Sequence, residues 1–166
     1  RVNHPGLFNT VTVTYEIGLA TESRLSIHLL GYSVGAGDPR SSQESSTVNY
    51  DLTTGKLLKL SDLFKPGTQY LDVISLYCND ELSRNTGRAP WAETMKPRAE
   101  NFDTWHITAN GITFTFDSCK VFNCVEGEQI VQIPFSELKG FLKPGIPGKF
   151  KITYPCLLYT SDAADD

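Results

Sequence analysis

The chain has 166 residues, 40% hydrophobic and 20% charged, with 13 Gly, 9 Pro and 4 Cys. This is globular composition, which excludes collagen-like, coiled-coil and disordered classes, and the length suits one domain. The formal net charge is −4, and no apolar run approaches the roughly 18 residues that span a bilayer.

Strict alternation opens the pattern. Over 10–17, Val11, Val13, Tyr15 and Ile17 share one face and Thr10, Thr12, Thr14 and Glu16 the other, the mark of a half-buried strand. Residues 24–32 repeat it, with Leu25, Ile27 and Leu29 expected inward and His28 on the polar, surface side; 18–23 form the link. The stretch 33–46, SVGAGDPRSSQESS, has no period and reads as a loop. Strands resume at 47–52 and 57–60, joined through Gly55, the natural residue for a positive φ in that turn.

Ser61 is expected to cap a short turn holding Leu63 and Phe64, and Thr68 a longer helix reaching about Arg84. Leu71, Ile74, Cys78 and Leu82 fall on one face of that helix, so it should lie against a sheet. Residues 88–104 are irregular, with Pro90, Trp91 and Pro97. The run 105–116 is a hairpin signal, because Asn110-Gly111 tolerates the positive φ of a tight turn. Residues 129–135 form another strand, 136–142 a short helix and 149–154 a final strand. Many antiparallel strands around one main helix make the class α+β: a sheet packed against one principal helix.

The last eleven residues break the pattern. Residues 156–166 read CLLYTSDAADD and resemble one reading frame of a sequencing-library adapter, so a single domain is expected over 1–155 with a non-native tail at 156–166. Removing Asp162, Asp165 and Asp166 from 19 acidic residues leaves 16 against 15 basic ones. That near balance offers no electrostatic case for nucleic acid. The chain starts at Arg1 and its one Met is Met95, which reads as a piece of a longer or processed protein.

Val48-Asn49-Tyr50-Asp51-Leu52, Thr54-Gly55-Lys56 and Leu60-Ser61-Asp62-Leu63-Phe64 resemble the signature of the RsiV-like, PdaC-associated domain of unknown function. Asn101-Phe102 with Trp105, the 114–116 strand, and Gly127 followed by Val131, Ile133-Pro134-Phe135 and Leu138 extend the likeness over roughly 25–142. The resemblance implies a bacterial, extracytoplasmic, non-catalytic module of the type found as an anti-sigma-factor ectodomain that binds lysozyme, or beside a peptidoglycan deacetylase. Two positions depart from it. Gly35-Ala36-Gly37-Asp38 stands where many relatives read Gly-Ala-His, and Cys119 and Cys124 stand where relatives often carry two tyrosines.

That paired replacement, in an exported protein, favours a Cys119–Cys124 disulfide over two packed thiols. A metal site is not expected there, since no histidine is near in sequence, and no cofactor is implied. Cys78, on the apolar helix face, reads as a small buried hydrophobe. Gly31-Tyr32-Ser33-Val34-Gly35 fits the nucleophile-elbow spacing, but residues 36–46 read as loop rather than helix, and His106 is the one downstream histidine. The glycines then serve to bend a strand into a loop. Glu126 and Glu128, like Glu100 and Asp103, are loop acids without the cleft a glycosidase needs.

Binding surfaces remain. Trp91 stands in a polar, proline-flanked loop, where its ring either stacks on a ligand or packs the loop onto the helix. Tyr32, Asp38 and Arg40 mark the other candidate, at a loop on a sheet end that is otherwise a plain linker. The expected function is an extracytoplasmic binding or sensor module, not an enzyme, for a protein (lysozyme-like) or peptidoglycan ligand, either exported or tethered to a membrane through a segment absent here. A serine hydrolase using Ser33 and a structural accessory domain of a cell-wall enzyme are the alternatives.

Overall fold

A computed structural model describes residues 10–35 and 41–146; the expected strand at 149–154, the 156–166 tail, His4, Asp38 and Arg40 lie outside these residues. The first half is a meander, β1 (Thr10–Ala20), β2 (Arg24–Val34), β3 (Ser41–Asp51) and β4 (Lys56–Leu57), hydrogen-bonded in the order β1-β2-β3-β4. The second half holds α1 (Tyr70–Thr86) and a second antiparallel sheet, β5 (Trp105–Ile107), β6 (Gly111–Phe116) and β7 (Gln129–Pro134), followed by α2 (Phe135–Leu138). The class is α+β, with two sheets around one main helix.

Most of the core belongs to the second half. Ile74, Cys78 and Leu82 of α1 are buried as the helical spacing predicts, with Ser75 beside them, whereas Leu71 is half-buried. They join Ile107, Ile112, Phe114, Phe116, Val131 and Ile133 of the second sheet, with Phe102 edge-on to Phe114 and Phe116. Burial of this many large apolar side chains is the main drive for folding.

Several boundaries differ from expectation. The serines read as loop form strand: β3 begins at Ser41, and 41–46 pair with 29–34 of β2, because backbone pairing to a long neighbour overrides weak propensity. The expected strand at 57–60 shortens to Lys56–Leu57 and gives way to a 3-10 turn, Leu60–Leu63. There Asp62, rather than Ser61, caps, accepting the Lys59 backbone N–H at 2.8 Å. Helix α1 starts after Gln69, and the Thr68 hydroxyl instead donates to the Lys65 carbonyl at 2.8 Å. Strand β7 stops at Pro134, so Phe135 opens α2, and Leu142 bridges to Phe64 instead of extending that helix.

Gly55 has the expected positive φ of 70°, but Gly111 does not. Glycine is needed at 111 for space, since a Cβ there would run into the Ile133 carbonyl of β7.

The largest correction concerns the faces of the first sheet. Val11, Val13, Tyr15 and Ile17 are exposed, and Leu25, Ile27 and Leu29 are only half-buried. The opposite, polar face is the covered one: Ser26, His28, Ser45 and Asn49 are buried. His28 is therefore an interior residue. The reason is that this face docks on the second sheet at the free edge of β5. The Asn49 amide donates to the Trp105 carbonyl at 2.7 Å, and the Ile107 N–H donates to Ser26 Oγ at 2.6 Å. The Ser26 hydroxyl in turn donates to Asn49 Oδ1 at 2.5 Å. Two side chains thus satisfy an edge that a further strand would otherwise pair with.

Candidate functional site

Trp91 is held out on a pinned loop. Helix α1 ends at Gly87, whose left-handed φ of 72° lets its N–H reach the Ser83 carbonyl, as helix ends commonly require. Pro90 and Met95 are buried, and the Ser75 hydroxyl of α1 donates to the Met95 carbonyl. The Asn101 amide donates to the carbonyls of Glu93 (3.0 Å) and Lys96 (2.9 Å). Between these anchors the Trp91 N–H donates to the Val121 carbonyl at 3.0 Å, while its side chain stays 45% exposed. Backbone anchoring with an open indole is geometry suited to recognition.

The segment beside it is closed by the Cys119–Cys124 disulfide, with Cα atoms 4.2 Å apart. Cys119 has a φ of 69°, a backbone region that L-residues other than Gly and Asn rarely occupy. Inside the ring Val121 and Phe122 are buried, whereas both cysteines are exposed and Val125, just beyond, is 90% exposed. The Arg88 guanidinium lies 5.4 Å above the Phe122 ring and pairs with Glu126, and Lys120 pairs with Asp103 at 2.8 Å. The surface is thus an indole and a valine set among ion pairs of both signs. That composition suits contact with a neutral or mixed-charge ligand.

The other predicted site residues stand apart. Tyr32 is 38% exposed near the end of β2, in register with Gln43, whose amide reaches Glu128 at 3.5 Å. Ser33 lies within β2, paired with Val11 and Ser42, and not on a strand-to-helix turn. It is five residues from His28, about 17 Å along an extended strand and on the opposite face. Cys78 is fully buried, and that burial pushes its thiol well above the ordinary range, which leaves it unreactive. Among the described residues no group of three His, Cys, Asp or Glu is placed to hold a metal ion, and no helix is long and apolar enough to cross a membrane.

A histidine pair that sequence reasoning missed lies between the two sheets. His28 and His106 stack, ring centroids 5.3 Å apart and planes 12° from parallel. Burial, and then the neighbouring His28, push His106 down to about 4, with Glu16 opposing. The available signal was that His28 and Ser26 alternate with apolar residues on a strand that has two faces to bury.

Residues 61–136 match the family described as a protein of unknown function, DUF3298. Over 139 residues the chain is 30% identical to peptidoglycan-N-acetylmuramic acid deacetylase PdaC of Bacillus subtilis (strain 168), covering 81% of this chain and 30% of that protein. The chain therefore spans about a third of the curated relative it matches. Among solved structures, a DUF3298 family member from Bacteroides fragilis NCTC 9343 superposes with a TM-score of 0.65 at 16% identity, over 81% of this chain and 55% of that one. A DUF3298 family protein from Pseudomonas aeruginosa PAO1 gives 0.59 at 17%, over 81% and 62%. At these identities the likeness is one of fold.

Proposed function

We propose, taking the DUF3298 match over 61–136 as premise, that this chain is a non-catalytic binding module of the bacterial cell envelope, acting outside the cytoplasm on a cell-wall or envelope-protein ligand. The observation that carries the reading is the half-exposed Trp91, backbone-anchored to a disulfide-closed loop. An exposed disulfide persists in oxidising compartments and is rare in the cytosol. The relative PdaC bears the name of a peptidoglycan deacetylase, which supports peptidoglycan as the first ligand to test. An RsiV-like sensor of a protein such as lysozyme is the same binding role with a different ligand. A second reading, a structural accessory domain, is favoured by one fact: the match takes in only 30% of PdaC.

The test is co-sedimentation with purified peptidoglycan sacculi, wild type against Trp91→Ala. Binding by the wild type, weakened at least about tenfold in the variant, is expected for an aromatic anchor. Equal binding by both proteins removes Trp91 from the site. No binding by either turns the search to protein ligands, lysozyme first, and failure there leaves the accessory reading.

A further inference from the structure

The Ser26–Asn49 contact between the two sheets is flanked by groups whose hydrogen-bonding capacity depends on protonation. At one end of the contact, the Ser45 N–H donates to Asp117 Oδ1 at 3.0 Å and its hydroxyl to Glu128 Oε2 at 2.5 Å. At the other, His28 and His106 stack, 9% and 5% exposed. His28 Nε2 and His106 Nδ1 have no hydrogen-bond partner among the described residues. Two neutral imidazoles tolerate this arrangement, but an imidazolium does not. Its second N–H would be buried without a hydrogen-bond partner, its charge stacked on a second imidazole.

Few charges face the pair. Glu16 of β1, in register with His28, is the acidic neighbour, and it is exposed to solvent. From β3 the register neighbour of His28 is Thr47, and from β6 and β7 those of His106 are Thr113 and Gln132, all uncharged. Asp117 and Glu128 lie further along the same contact, and protonating them weakens the Ser45 bonds as well. By contrast the core around α1 is built from apolar side chains.

We propose that the His28–His106 pair makes the docking of the four-stranded sheet on β5 acid-labile, so that protonation within the pair releases the sheet while the α1-packed core stays folded. The sign comes from linkage. In the docked structure burial, and then His28, hold His106 at about 4, against 6.5 for an imidazole exposed to solvent. The docked state therefore keeps its full advantage above 6.5 and loses it progressively as pH falls from 6.5 towards 4.

The test is an NMR titration of the full chain from pH 7.5 to 4, following histidine ring protons and backbone amides. The His106 ring should titrate well below the ordinary range, and the amides of Ser26, Asn49, Trp105 and Ile107 should change together while those of α1 and β7 hold. In His28→Gln/His106→Gln the seam amides should hold to a pH lower by about one unit. If that variant does not fold, His28→Phe keeps a stacked ring and removes one protonation site, and should move the same amides in the same direction. Seam amides that stay fixed down to pH 4 would overturn the proposal. A foldable variant that opens at the wild-type pH would also overturn it.

Discussion

Gly18 lies at the irregularity in β1 between Ile17 and Leu19, against Ile107 and His106 of β5. A Cβ at that position would sit 2.5 Å from the Ile107 carbonyl oxygen and 2.6 Å from Cδ2 of His106. Neither neighbour can retreat, one being backbone and the other a stacked ring. Gly18→Ala should therefore lower stability by about 1–3 kcal/mol in urea unfolding. Gly140→Ala, with nothing within 4 Å of its Cβ position, should stay within about 0.5 kcal/mol. Single residues of this kind are only partly legible in sequence. Gly55 can be read because a positive φ leaves a local turn signature. The need for Gly18 and Gly111 comes from strands distant in sequence, and no window around either position carries it. His28 is misplaced by the sequence for a related reason: alternation separates two faces of a strand but does not say which one is covered.

Elements are legible where their signal is local. The 105–116 hairpin, β7 and the buried stripe of α1 come from short-range periodicity, whereas β3 acquires six residues from pairing with β2 that its serines do not announce. The paired cysteines are readable as well, and their ring makes a prediction at this scale. Closing a loop of this length by a disulfide stabilises by about 2 kcal/mol through chain entropy. Cys119→Ser/Cys124→Ser should lose about that amount in urea unfolding, and wild-type protein under reductant should match it. The candidate site is half legible: Trp91 can be picked out as an aromatic in a polar loop, but its attachment to Val121 joins segments thirty residues apart and is visible only in the fold.

For the whole molecule, the first sheet presents an open apolar face. Val11 and Tyr15 are each 70% exposed, and Val13, Ile17 and Leu57 are exposed with them. Because folding of the described residues does not use this face, Val13→Lys should leave stability within about 0.5 kcal/mol. The same change should reduce the binding of an apolar dye such as ANS, read as a fall in its fluorescence at constant protein concentration. A large loss of stability would instead mean that the face is covered in the folded chain. The number of sheets is not legible because both halves carry strands, and the division into two sheets that meet at β5 appears only in the fold.

The order of strands, β1-β2-β3-β4 and β5-β6-β7, has a kinetic consequence. Every ladder joins neighbours along the chain, so each sheet closes through loops of modest length at small entropic expense. Strands paired with their neighbours along the chain reach their pairing sooner than strands paired across distant parts of it. Distant partners meet at the Phe64–Leu142 bridge and where the two halves join, which brings Ser26 to Ile107 across 81 positions of chain. Two meanders that form early and a seam that closes last is the folding sequence this architecture favours, with the polar contact between the sheets as its final step.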